Sequence, residues 1–233
     1  MGPWKVADVM TADAMSVDEE APFKVIVDIM ETFGYNALPV VDNSRRVLGL
    51  VSSADLVPKI EFAGTVAQPH LLEGRQHRTA RDKAAATAAA ELMTSPAVTV
   101  LPQTTLVEAA KIMDSAGLKR LPVVDDLGRL TGMVTRSDLL KVFLRDDTEI
   151  RREIRTEVLA DLVGVEPSQV QVEVDNGVVT LLGRLDRRSL IRSTIRHVER
   201  VAGVVNVVSH LSYGADDIDG EAPLLHRSKV PNR

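Results

Sequence analysis

Leu130-Thr131-Gly132-Met133-Val134-Thr135-Arg136-Ser137-Asp138 decides the fold, because a fainter copy, Val47-Leu48-Gly49-Leu50-Val51-Ser52-Ser53-Ala54-Asp55, stands 83 residues before it. Each stretch reads as a buried strand that ends in small hydroxyl residues and then an aspartate, where a helix begins. Such a junction offers a phosphate unpaired backbone N–H groups and a partial positive charge. To a sugar it offers hydroxyls and a carboxylate.

The same offset relates Met10-Thr11 to Met93-Thr94 and Leu38-Pro39-Val40-Val41-Asp42 to Leu121-Pro122-Val123-Val124-Asp125, with no gap inside either unit. A repeat of this kind fixes the architecture. In the second unit, residues 96–100 are apolar and β-branched and predict a strand. Thr105 with Glu108 forms a capping box, Leu106, Ala109, Ala110 and Met113 share a helical face, and Gly117 stands at a left-handed C-cap. Strands at 120–124 and 130–135 flank a turn at 125–128, and a helix closes the unit from Asp138. The first unit repeats this order with a strand at 15–17, a helix over 23–33, Gly34 at its C-cap, and strands at 38–41 and 47–52. Each unit is therefore β-α-β-β-α, with repeat 1 at 6–58 and repeat 2 at 91–145. The connection between them, 59–90, is partly helical; a connection this long is functional or a solvated helix with surface charges.

After Leu144 the pattern changes. Ile150, Ile154, Val158, Leu159 and Leu162 form an apolar helical stripe that Gly164 ends. Residues 169–175 alternate strictly, Asn176-Gly177 signals a two-residue hairpin, and 178–182 returns as its partner strand. A helix over 186–201 and a strand over 204–211 complete an α-β-β-α-β segment at 148–213. The remainder, 214–233, has turn formers and acids without periodicity and reads as a disordered tail.

Composition narrows the function. The 233 residues include no cysteine, which excludes disulfides and thiolate metal sites, and only 3% are aromatic, so stacking platforms for single-stranded nucleic acid are scarce. No stretch reaches the roughly 18 apolar residues of a spanning helix, and the expected location is cytoplasmic or peripheral to a membrane. The net charge of −5 is uneven: residues 1–58 carry 4 basic against 9 acidic side chains, and 59–90 carry 5 against 3. The five histidines lack metal-ligand spacing, and neither a nucleophile elbow nor a P-loop occurs, so no catalytic or metal-binding residue is nominated.

The two units resemble a tandem pair of CBS domains, a Bateman module. The resemblance rests on Met-Thr at the start, Leu-Pro-Val-Val-Asp in the middle and Gly-x-Val-Thr/Ser-x-x-Asp at the end, in order and twice over residues 6–144. It implies two repeats packed as a pair, a homodimer through the CBS domains, and clefts for an adenine-containing ligand: AMP, ADP, ATP or S-adenosylmethionine. Carried over, Asp55 and Asp138 match ribose-hydroxyl acceptors, and Ser52 and Thr135 match hydroxyls near ribose and phosphate. Arg120 matches a phosphate-contacting arginine whose counterpart in repeat 1 is Ala37. Pro39, Pro122, Val98, Met133 and Ser137 complete the set. Arg136 is a second phosphate candidate or a solvent-facing side chain. Repeat 2 keeps the fuller polar set, which favours a single occupied site there. Against this stands the reading that each Gly-x-x-Thr/Ser-x-x-Asp turn is an N-cap and nothing more.

The third segment resembles a BON domain, on Val174-x-Asn176-Gly177-x-Val179-x-Leu181-x-Gly183 and Gly203-Val204-x-Asn206-Val207. The resemblance implies contact with an anionic phospholipid surface or another macromolecule. Arg188, Arg192, Arg196 and Arg200 recur at i, i+4, with Arg184 and Arg187 just before, and such a ridge suits lipid headgroups, a nucleic-acid backbone or plain solvation. The fold class is thus α+β: two β-α-β-β-α repeats and a small α-β-β-α-β domain. The function expected is that of a regulatory adenine-nucleotide sensor, not an enzyme. The alternative is a nucleic-acid binder using the basic inter-repeat and third-domain helices.

Overall fold

The computed structural model describes residues 4–63, 75–163 and 165–217, with main chain only for 75–79 and 161–163. Residues 4–141 form one compact unit and residues 142–217 belong to another. Gly164 and the part of the expected tail from 218 onward lie outside the described residues.

In the first unit a short 3-10 turn (Val6–Asp8) leads into β1 (Thr11–Ala12), β2 (Val17–Asp18), α1 (Phe23–Phe33), β3 (Ala37–Val41), β4 (Val47–Ser52) and α2 (Ser53–Leu56). Then come α3 (Pro58–Glu61), α4 (Arg75–Ala85), α5 (Ala89–Leu92), α6 (Leu106–Ser115), β5 (Arg120–Val124), β6 (Leu130–Thr135) and α7 (Arg136–Leu140). The apolar spacing of Ile26 and Met30 buries one face of α1, and Gly34, at φ 67°, closes it in the left-handed conformation only a residue without Cβ adopts freely. Thr105 and Glu108 form the expected reciprocal cap on α6, at 3.2 and 3.0 Å. The expected strand at 96–100 contracts to a single bridge, Val100 to Val123. Pro96 has no N–H to give a ladder, and Val98 is exposed.

The two repeats exchange their leading segments. Strands β2, β3 and β4 form one sheet, but β1 joins β6 and β5 in the other, pairing Thr11 with Met133 and Ala12 with Gly132. Conversely, Thr94 pairs with Leu50 on β4, with both backbone hydrogen bonds made, at 2.9 and 3.1 Å. Ala86, Ala89 and Leu92, at the leading end of repeat 2, pack in the core of repeat 1 with Ile26, Leu38, Val40 and Val51. This crossing explains the repeated glycines. A Cβ on Gly132 would lie 2.6 Å from the Thr11 carbonyl oxygen, and one on Gly49 would lie 2.5 Å from Met93 Sδ and 2.9 Å from the Thr94 carbonyl.

The second unit contains α8 (Asp147–Glu153), which continues as a π-helical segment over Ile154–Val163, then β7 (Val170–Asp175), β8 (Val178–Arg187), α9 (Arg188–Val198) and β9 (Asn206–Ala215). The sheet order is β7-β8-β9, with β7–β8 antiparallel and β8–β9 parallel across the α9 crossover. The stripe Ile150, Ile154, Val158 and Leu159 is buried against Val170, Val179, Leu181 and Val198. The side chain of Leu162 lies outside the described residues. Asn176 and Gly177 take positive φ, 48° and 73°, as a two-residue hairpin demands. Strand β8 runs five residues beyond the expected end and displaces the start of α9 to Arg188. The parallel pairing with β9 carries on to Arg187↔Ala215, and Leu185 is still buried there.

Candidate ligand clefts of the paired repeats

Sheet register places the polar groups. In β5–β6, Arg120 stands opposite Thr135; in β3–β4, Ala37 stands opposite Ser52. Each strand then turns into a helix at matching positions, with Ser53 N donating to the Asn36 carbonyl and Arg136 N donating to the Lys119 carbonyl, both at 3.0 Å.

At both junctions the aspartate caps its own helix. Asp138 Oδ2 accepts from Thr135 N at 2.9 Å and from Thr135 Oγ1 at 2.7 Å, and Thr135 Oγ1 accepts from Asp138 N at 3.2 Å. Asp55 Oδ2 accepts from Ser52 N and Ser52 Oγ, both at 2.7 Å. The side-chain N-cap is complete only at Thr135, since Ser52 accepts no hydrogen bond from the first turn of its helix. A lysine holds the other oxygen in each case: Lys141 Nζ lies 2.6 Å from Asp138 Oδ1, and Lys83 Nζ donates to Asp55 Oδ1. Burial pushes the Asp138 carboxyl up, but the Lys141 ammonium and the two Thr135 donors outweigh it and hold the group below the ordinary aspartate range.

Two clefts open beside these turns. The larger, about 630 Å3, is lined by Ser52, Asp55, Val98, Arg120 and Pro122 among the residues named from sequence, and by Asn36, Leu50, Thr94, Leu118 and Lys119 in addition. The smaller, about 460 Å3, gathers Thr135, Ser137 and Arg136 with Tyr35 and Asn36. Arg120 lines both. Asp138, Pro39 and Met133 line neither, Asp138 and Pro39 being buried. The fuller polar inventory of repeat 2 thus does not coincide with the roomier cleft, which opens on the Ser52 and Asp55 of repeat 1. The reason is positional: Arg120 and the 96–98 segment of repeat 2 line the cleft beside the repeat 1 turn, whereas Asp138 is buried and lines neither cleft.

Arg120 is half-buried, and its guanidinium has no hydrogen bond or ion pair with any described residue; burial alone draws its pKa below the ordinary arginine value. A desolvated cation without a counter-charge gains by meeting an anion. Arg136 is otherwise engaged. Its Nε and Nη2 donate to the carbonyls of Leu118 and Met113, 2.9 and 3.2 Å away, closing the C-terminal end of α6. Asn36, Lys119 and Lys83 were not singled out from sequence; the first two sit directly before Ala37 and Arg120, and only the repeat register marks them as equivalent.

In the second unit, Arg192, Arg196 and Arg200 are exposed and make no ion pair with a described residue. Arg188 differs, pairing with Asp216 at 2.9 Å and lying 5.9 Å over the Tyr213 ring. Among the described residues no cluster of histidine and acidic side chains is arranged to hold a metal, and no helix is long and apolar enough to cross a membrane.

These features define a tandem-repeat module with shared clefts, joined to a small sheet-and-helix domain. The CBS domain model matches residues 6–61 and 89–145, and the BON domain model matches 146–215. A CBS domain-containing protein of Dictyostelium discoideum is 30% identical over 140 residues, 60% of this chain and 91% of its own length. An uncharacterized protein of Methanopyrus kandleri is 30% identical over 135 residues, 58% of each chain. Among solved structures, CBSX2 of Arabidopsis thaliana in complex with AMP matches with a TM-score of 0.53 and 26% identity, over 60% of this chain and 97% of its own. The chain belongs to the CBS domain family and carries a BON domain after its CBS pair.

Proposed function

We propose that the chain is a regulatory protein whose CBS pair binds an adenine nucleotide in the cleft between Asp55 and Arg120, and whose BON domain meets an anionic surface or a macromolecular partner. The observation that carries this reading is the unpaired, half-buried Arg120 in a cleft of about 630 Å3 that also holds the Ser52–Asp55 turn. The volume suits a nucleotide, the guanidinium suits a phosphate, and a carboxylate suits vicinal hydroxyls. The AMP bound by CBSX2 supports the ligand class. Calorimetric titration with AMP, ADP, ATP and S-adenosylmethionine tests it. Arg120→Ala weakens the phosphate-bearing ligands by about 10- to 100-fold, the worth of one charged hydrogen-bonding group; the absence of heat with all four would refute the reading.

The CBS domains pair as a homodimer in this reading, and sedimentation velocity on the full chain measures that directly. For the BON domain, the exposed Arg192 and Arg196 support attraction to anionic lipid, worth about 1 kcal/mol per basic residue near such a surface. Flotation with phosphatidylserine vesicles should then fall for Arg192→Glu/Arg196→Glu. Unchanged flotation contradicts it, and steep salt-dependent retention on DNA or RNA points to nucleic acid instead.

A further inference from the structure

The two capping aspartates look alike but are wired differently. A carboxylate has about four lone-pair positions. Asp55 Oδ2 already accepts twice, from Ser52 N and Oγ, and Oδ1 accepts from Lys83 Nζ. One position is left, whereas the vicinal hydroxyls of a ribose ask for two. A ribose that grips Asp55 with both hydroxyls must therefore displace a donor. The Ser52 donors belong to the helix cap itself, so Lys83, which reaches Asp55 from a separate helix, is the one to yield.

Displacing the lysine has different consequences in the two repeats. Lys141, on Asp138, lies three residues along from it and is half exposed, 52%. Apart from a 3.5 Å contact with the Val9 carbonyl, its ties lie within its own turn. Lys83 is only 14% exposed, stands 28 residues from Asp55 in sequence, and belongs to the inter-repeat helix α4. The end of α4 is also held to repeat 1 by Lys59 Nζ, which donates to the Ala84 and Ala86 carbonyls at 3.1 and 2.5 Å. Lys59 in turn lies 5.0 Å from the Phe23 ring centroid.

We propose that Lys83 competes with a ribose for Asp55, so that filling the repeat 1 cleft removes the side-chain tie from Lys83 to repeat 1 and loosens the last turn of α4, which the Lys59 bonds and Ala86 still hold. This rests on the nucleotide reading and adds to it a residue that sets affinity and a segment that responds. Linkage makes the effect reciprocal: whatever the ligand takes from the Lys83–Asp55 pair, the pair takes from the ligand.

The test uses the full chain, AMP and 2′-deoxy-AMP, with Lys83→Met and Lys83→Arg variants checked for native circular dichroism. Lys83→Met binds AMP about 5-fold tighter or more, Lys83→Arg returns to wild-type affinity, and the gain is smaller for 2′-deoxy-AMP, which has one hydroxyl fewer to place. Hydrogen exchange in residues 80–86 accelerates on adding AMP to wild type and is already fast in Lys83→Met. Equal or weaker AMP binding by Lys83→Met overturns this proposal while leaving the nucleotide reading intact. AMP binding by neither protein removes both.

Discussion

At the residue scale, Gly132 and Asp138 show how one repeated motif carries two separate constraints. Gly132 is where β1 crosses, and an added methyl meets the Thr11 carbonyl oxygen at 2.6 Å, an atom that cannot swing aside as a side chain would. Gly132→Ala should therefore destabilise by about 1–3 kcal/mol in urea unfolding; a neutral result would contradict the crossing. Asp138 titrates below the ordinary aspartate range because Lys141 and Thr135 outweigh its burial. Its folded pKa is depressed, so its stabilisation is complete above the unfolded value of about 3.9 and is lost as pH falls through the folded value. Asp138→Asn should lower the melting temperature at neutral pH and lose less of it as pH falls below the unfolded value. Sequence showed both residues because the repeat doubles them. It did not show why the glycines recur, since their partners are two-residue segments from the opposite repeat, too short to carry a periodicity.

At the scale of elements, propensity and turn chemistry were legible wherever a segment answers to its own residues. Strands β4, β5 and β6 and helix α1 fall on the expected residues because their alternation, caps and C-terminal glycine are local signals. The end of β8 was not legible, being set by its pairing with β9 far along the chain, and the strand expected at 96–100 reduces to one bridge because Pro96 offers no N–H. The hairpin at Asn176-Gly177 gains a support that its own residues do not announce: Asp147, at the start of α8, accepts from Asn176 N at 2.7 Å and Gly177 N at 2.9 Å. Asp147→Ala leaves two turn N–H groups without that acceptor and should cost about 1–3 kcal/mol. Thermal unfolding of Asp147→Ala beside Asp147→Asn, which keeps one acceptor oxygen, measures it; equal melting temperatures for wild type and both variants would contradict the pinning role.

At the scale of the whole molecule, the repeat made the CBS pair visible, and the two swapped leaders make it one folding unit. Its cleft was half legible: Ser52, Asp55, Arg120, Pro122 and Val98 line one cleft, while Lys83, which pairs with Asp55, comes from a connection whose residues read equally as functional or as a solvated helix. The second unit has its own core, with Leu159 fully buried among Val170, Leu181 and Val198. Leu159→Ala should cost about 2–5 kcal/mol there, read as lost amide protection in β7, β8 and β9. Unaltered protection would contradict that packing.

In the proposed complex a nucleotide spans Asp55 and Arg120. A crystal structure of the full chain with AMP tests it most directly. Ribose density against Asp55 and phosphate density against Arg120, in the larger cleft, is the result predicted. An empty cleft at saturating AMP, or AMP seated with its ribose away from Asp55, would contradict it.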